Sequence, residues 1–176
     1  MTSTAVPLRR LVLLRHAKAE SGGRESDELR PLALAGRRQS VRIGAALASR
    51  GLVPDLVLCS SAVRARQTWE LVRGGLGGVD PGLQVVRALY EAGPADVVEQ
   101  VRSVDPKVRT VLVVGHEPTI SSTAAALASE DSDRTATVRV RVGISTGTFV
   151  VAELEGPWAE LTFGGARLDE VVSPAD

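Results

Sequence analysis

Cysteine, histidine and aromatic residues are all scarce in this chain of 176 residues. A single cysteine, Cys59, excludes an intrachain disulfide framework and a cysteine-based zinc site. Aromatics make up 3% of the residues, so Ala, Val and Leu must fill the core, as suits helices packed closely on a sheet. Neither sign of charge is in excess: 21 basic side chains balance 21 acidic ones. Nothing steers the chain as a whole toward nucleic acid or anionic lipid, so any anion site must be local. No apolar run approaches membrane-spanning length, and the opening MTSTAVPLRR has no apolar segment of signal-peptide type. The expectation is a cytoplasmic protein with no nucleic-acid or membrane partner. With 44% hydrophobic and 24% charged residues, the composition is that of an ordinary globular domain. One domain over 1–176 is expected, with flexible ends at 1–8 and 169–176.

Short apolar runs at 10–15, 56–59 and 111–114 read as buried strands. A helix is expected over about 34–50, with Val41, Ala45, Ala48 and Leu52 as its inward stripe and Gly51 and Pro54 as its stop. A second helix spans about 62–73 with Ala65, Trp69 and Val72 inward. Pro94 opens a third, with Val97, Val98 and Val101 inward, and Pro118 a fourth, with Ile120, Ala124, Leu127 and Ala128 inward. This alternation of strand and helix predicts an α/β fold, a three-layer α/β/α sandwich around a mostly parallel sheet. Thr137–Val142 alternates polar with apolar residues and Thr148–Leu154 follows a turn-like segment, which predicts an antiparallel pair at the sheet edge. A short strand is added at 160–163. Gly74–Gly78 follows a helix rather than a strand and matches no phosphate-cradling motif, so it reads as a connector. The acidic run 129–133 reads as a solvated loop.

The two histidines of the chain both end apolar runs, in LVLLRHAKAE (11–20) and TVLVVGH (110–116). In an open parallel sheet, ligands gather at the carboxyl ends of strands. Arg15 and His16 lie at that end of the first strand, and His116 lies at that end of the fourth. Arg64 follows the strand ending at Cys59. Arg66, two residues on, points to another helix face, and Lys18 belongs at the rim. Guanidinium forks match phosphoryl oxygens, and a neutral imidazole is a good nucleophile near neutral pH. The combination favours transfer of a phosphoryl group onto histidine and then to water, with no metal and no cofactor required.

Three segments carry a resemblance. LRHAKAE (14–20) resembles the R-H-(G/A) signature of the histidine phosphatase superfamily, whose fold is phosphoglycerate mutase-like. SSAVRARQT (60–68) resembles that family's S-x-x-x-R-A-x-Q-T segment, and GHEPTIS (115–121) its G-H-x-P segment. The short length, the R-H-A-K-A form and DELRPLALAGRRQS (27–40) are most similar to the SixA-type phosphohistidine phosphatases. The resemblance implies that His16 is the nucleophile and that Arg15, Arg64 and His116 bind the phosphoryl oxygens. It implies a proton donor after the middle strand, for which Glu91 in ALYEAG (88–93) is the nearest residue. Ala17 stands where the mutases have Gly, and the polar residues that follow that Gly in mutases have no clean match, which argues against a mutase. The expected substrate is a phosphorylated protein carrying phosphohistidine, with a small phosphoester as the alternative.

Two rivals lead elsewhere. A non-catalytic phosphate- or phosphopeptide-binding module on the same fold would not need the paired histidines. A cysteine-based phosphatase needs five residues between its cysteine and arginine, whereas Ser60, Ser61, Ala62 and Val63 make four between Cys59 and Arg64. Cys59 also completes an apolar run, as a structural thiol does. Cys59→Ser is therefore expected to leave phosphatase turnover largely intact; complete loss in a folded variant would restore the cysteine mechanism.

Overall fold

A computed structural model describes residues 7–174. Six strands form one sheet: β1 (Leu8–Arg15), β2 (Leu56–Ser60), β3 (Gly82–Val86), β4 (Thr110–Gly115), β5 (Phe149–Glu155) and β6 (Arg167–Val172). Five helices accompany them: α1 (Leu34–Ser49), α2 (Val63–Arg73), α3 (Pro94–Arg102), α4 (Thr119–Leu127) and α5 (Arg134–Val142). The strand order is β3-β2-β4-β1-β5-β6. β1, β2, β3 and β4 run parallel, and β5 and β6 complete one side antiparallel.

Strand geometry sends alternate side chains to opposite faces, and both faces of this sheet are covered. Leu11 and Leu13 of β1, with Val111 and Val113 of β4, join the core under α3, α4 and α5. Val12 and Leu14, with Leu112 and Val114, join the core under α1 and α2. Burial on both sides is why these strands read as unbroken apolar runs. β1 is followed by α1 on one face and its neighbour β4 by α4 on the other. The chain thus parts between two adjacent strands at their carboxyl ends, where open α/β sheets form a crevice.

Three expectations need correction. Residues 137–142 are helical, within α5, not a strand. Asp133 caps that helix by accepting from the Ala136 N–H at 2.8 Å. Ala136 and Val140 face the core four residues apart, while Val138 and Val142 are exposed, so the apolar alternation served no sheet. The antiparallel edge pair is instead β5 with β6. Residues 158–160 form a 3-10 turn and no strand occupies 160–163. The ends expected to be flexible also reach into strands: Leu8 begins β1, and Glu170–Val172 pair with β5. Residues 1–6 and 175–176 of the expected flexible ends lie outside the described residues.

The inward face of α1 is likewise not the expected one. Gly36, Ser40, Ile43, Gly44 and Leu47 are buried, whereas Val41, at 54% exposure, faces solvent and Ala45 and Ala48 are exposed. Small residues win because backbone must approach backbone. A Cβ on Gly36 would stand 1.9 Å from the Lys18 carbonyl oxygen, and one on Gly44 would stand 2.3 Å from that of Val72 in α2. The first contact seats α1 on the segment just after β1, and the second locks α1 to α2.

Gly44→Ala is expected to lower stability by about 1–3 kcal/mol through overpacking. Gly22→Ala, whose Cβ meets nothing within 4 Å, is expected to stay within about 0.5 kcal/mol. Urea midpoints of the two variants against the parent check this.

Candidate active site

The cleft is assembled by register. Arg15 of β1 lies beside Gly115 of β4, and the His16 N–H donates to the Gly115 carbonyl at 2.9 Å. This places His16 and His116 side by side, with ring centroids 5.2 Å apart and planes tilted by 57°. β2 pairs on the other side of β4, so Ser60 at its end reaches the same edge. Arg64 follows in the first turn of α2 and is buried there. The four residues expected from sequence therefore converge from three neighbouring strand ends.

Hydrogen bonds fix the state of His16. Its Nδ1 is 2.7 Å from the Ala17 carbonyl oxygen, which can only accept, so Nδ1 carries the hydrogen. Nε2 is then the lone-pair nitrogen, and it accepts from Arg64 Nε at 3.3 Å. The Ala17 N–H donates to Thr68 Oγ1 at 3.0 Å, and Thr68 Oγ1 donates to the Arg64 carbonyl at 2.7 Å. The backbone that orients the ring is thus tied to the helix that carries the arginine. On the other side, the Gly147 N–H donates to the carbonyls of both Arg15 and His16, at 3.2 and 3.1 Å. Gln39 of α1 bridges the same region, accepting from the Lys18 N–H and donating to the Thr146 carbonyl.

Both imidazoles are neutral at physiological pH. Burial pushes the His16 pKa down to about 3; the Ala17 hydrogen bond opposes this, while His116, Arg64 and Arg15 add to it. Burial likewise pushes His116 down to about 4, with Arg64, Arg30 and Arg15 lowering it and Asp27 opposing. His116 Nε2 lies 2.8 Å from Ser60 Oγ. Among the described residues its buried Nδ1 has no hydrogen-bond partner, and neither has Nε of Arg15, whose Nη1 donates to the Ile144 carbonyl at 2.6 Å. Burial depresses the Arg15 pKa, and Glu117 opposes that effect. Unmet polar atoms in a crevice lined by cations describe a site for an anion.

Asp27 and Tyr90 were missed as site residues, although Asp27 opens a segment that carries the resemblance and Tyr90 stands beside Glu91. Arg64 donates from Nη1 to the Asp27 carbonyl at 2.7 Å and from Nη2 to Asp27 Oδ2 at 2.9 Å. The Tyr90 hydroxyl donates to the same Oδ2 at 2.7 Å, and Arg30 holds Oδ1 at 2.9 and 3.2 Å. Tyr90, Arg30 and Arg64 together hold the Asp27 carboxyl far below the usual carboxylate range, and Asp27 in turn raises the Tyr90 pKa. The Tyr90 ring stands edge-on to His116 at 5.6 Å, with the Arg64 guanidinium 5.9 Å from its centroid. The sequence clue was an acid three residues before Arg30, beside Glu25 and Glu28, which does not distinguish a cleft residue from a solvated one.

Glu91 is exposed and, among the described residues, makes no hydrogen bond or ion pair. It lines a cavity of about 550 Å³ beside Tyr90, with Glu28, Ser61, Arg87 and Asp96. Lys18 and Arg66 are exposed, as expected. Cys59 is fully buried, and burial pushes its thiol up to about 12, far from a thiolate nucleophile. Among the described residues no cluster of three or more His, Cys, Asp or Glu side chains is arranged to hold a metal ion, and no helix is long and apolar enough to cross a membrane.

The sequence model of the histidine phosphatase superfamily (branch 1) matches residues 11–96. Rv1276c of Mycobacterium tuberculosis is 37% identical over 156 residues, covering 88% of this chain and 96% of its own. Among solved structures, the "Putative Phosphohistidine Phosphatase SixA" of Nakamurella multipartitia is similar at 35% identity and a TM-score of 0.82, over 96% of this chain and 98% of that one. A protein of the same description from Agrobacterium tumefaciens is similar at 28% identity and a TM-score of 0.78, over 96% and 99% of the two chains. With its Arg-His pair, second arginine and second histidine gathered at one sheet edge and these relatives matched over nearly their whole length, the chain belongs to the histidine phosphatase superfamily.

Proposed function

We propose that the protein is a metal-independent phosphatase that passes a phosphoryl group to His16 Nε2 and then to water, with phosphohistidine in a protein as its substrate. The observation that carries this reading is the fixed tautomer of His16. Nδ1–H is held by the Ala17 carbonyl, so Nε2 keeps its lone pair in a cleft of arginines. Arg15 and Arg64 bind the phosphoryl oxygens and His116 donates to them as charge shifts in the transition state. In the second half-reaction water attacks phosphorus, the bond to Nε2 breaks, and the neutral ring is restored.

The choice of substrate rests on the acids. Tyr90, Arg30 and Arg64 hold the Asp27 carboxyl in its charged form, so it is poorly suited to protonate a leaving group. An ester leaves as an alkoxide and needs an acid, whereas the imidazole of phosphohistidine can be protonated before its bond breaks. Glu91, at the cavity beside Tyr90, is the acid for esters in this proposal and is not required for phosphohistidine. In this proposal the substrate presents its phosphorylated side chain from a protein surface. The proposed chemistry calls on no cofactor, and the cytoplasm is the proposed location.

Brief reaction with a phosphorylated protein, followed by mapping of the acid-labile phosphate, is expected to find it on His16. His16→Ala should lose both the trapped phosphate and hydrolysis of para-nitrophenyl phosphate. A label on any other residue overturns the mechanism, and turnover of a small phosphometabolite far faster than of a phosphohistidine protein overturns the substrate. Glu91→Gln should slow alkyl phosphate esters by about 100-fold or more while phosphohistidine turnover changes far less.

The pH dependence follows from the buried rings. Their folded pKa values, about 3 and about 4, lie below the 6.5 of a free histidine. The unfolded chain therefore binds more protons between these limits, and stability is lost as pH falls from about 6.5 toward 3. Nitrogen-detected NMR at pH 5.5 should show both histidines still neutral; rings already half protonated there would contradict the burial argument.

A further inference from the structure

His116 has two ring nitrogens and only one is spoken for. Nε2 meets Ser60 Oγ at 2.8 Å, and Nδ1 is buried without a partner. A neutral imidazole has one hydrogen, and its position decides whether Nδ1 attracts or repels a phosphoryl oxygen. The bare distance to Ser60 leaves the direction open, because a hydroxyl both donates and accepts.

The surroundings of Ser60 settle it. The side chain is fully buried, with no access to solvent. Its Oγ already accepts from the Ala62 N–H at 3.3 Å. If His116 Nε2 also donated to Oγ, the hydroxyl hydrogen would need another acceptor, and among the described residues Ser60 Oγ has only these two partners. That arrangement would bury two unmet atoms, the serine hydrogen and a bare Nδ1 lone pair. Donation from Ser60 to Nε2 satisfies the hydroxyl and leaves one unmet atom, an N–H that an incoming anion meets. Buried polar atoms left without partners cost stability, so the arrangement with fewer of them wins.

We infer that Ser60 is a positioning residue that fixes the tautomer of His116: its hydroxyl donates to Nε2, so the ring hydrogen sits on Nδ1 and is presented to the phosphoryl oxygens. The Ala62 N–H holds the serine oxygen, the serine holds the imidazole, and the imidazole supplies the donor. No proton moves along this chain during turnover; the hydrogen remains on Nδ1 throughout. The two histidines then share one tautomer for opposite ends. In His16 the hydrogen on Nδ1 frees Nε2 to attack, and in His116 the hydrogen on Nδ1 is itself the group used. The catalytic half of this inference rests on the phosphatase reading, whereas the tautomer does not.

The test is nitrogen-detected NMR of the histidine rings in the resting protein, with kinetics alongside. The parent chain should show both rings with hydrogen on Nδ1. Ser60→Ala should move one of the two rings to a mixture or to the Nε2–H form and reduce kcat by about 10–100-fold, near the low end for loss of a transition-state donor. Inorganic phosphate should bind this variant more weakly in the same titration. Ser60→Thr, which keeps the hydroxyl, should restore the tautomer and most of the rate. An Nε2–H form of His116 in the parent overturns the inference without any variant. A Ser60→Ala protein that keeps Nδ1–H yet loses activity also overturns it, since the serine would then act only as packing. A parent chain with the Nδ1–H form but no turnover of any phosphoester or phosphoramidate would support the tautomer and overturn only the phosphatase reading.

Discussion

The parallel pairing of β1 with β4 is the constraint on which the cleft depends. Arg15 beside Gly115 is one rung of a ladder whose rungs from Leu11–Val111 to Leu14–Val114 are buried on both faces. A slip of one residue would send Leu11 and Leu13 to the core of Val12 and Leu14, and the reverse, so the register is held by both cores at once. With register fixed, the first residue beyond each strand is fixed too. His16 and His116 meet because each is the next residue after its ladder ends, and β2 on the far side of β4 brings Ser60 and then Arg64 to the same place. The chemistry is a property of strand ends rather than of any one loop.

Charge in the cleft is arranged around neutrality of the rings. Desolvation and guanidinium neighbours work together on both histidines, and each alone would favour the uncharged form. Arg64 leans on Asp27, whose carboxylate is in turn shared with Arg30 and Tyr90. Asp27 therefore behaves as an internal counter-ion: it steadies the guanidinium while leaving some of the N–H groups of Arg64 uncommitted. Its half-exposed position keeps the attraction modest, so an anion in the cleft competes with it on workable terms.

Much of this was legible in the sequence, and the failures have physical causes. Unbroken apolar runs and proline starts announced β1, β2, β4, α3 and α4, and Arg15, His16, Arg64 and His116 stood just after such runs or the turn that follows them, whereas β6 lies partly in a stretch read as a flexible end. α5 misled because Val138, Val140 and Val142 alternate as a strand does, while the informative pattern was the Asp133 cap with Ala136 and Val140 four apart. α1 misled because hydropathy points inward at valine, whereas close backbone contact selects Gly36, Ser40 and Gly44. Asp27 and Tyr90 come together across 63 residues of chain through one hydrogen bond. No local pattern encodes a meeting of that kind; it exists only once the sheet has formed.

If the cleft works as proposed, the unmet donors at Arg15 Nε and His116 Nδ1 act before and after the reaction alike. They complete themselves on any tetrahedral oxyanion of suitable size, and free orthophosphate is one. The same preparation that receives a phosphoryl group thus retains it once released, so departure of the product competes with every gain in grip. A cleft of this design works under the standing occupancy of the phosphate around it, and its speed reflects how loosely, as much as how tightly, it holds.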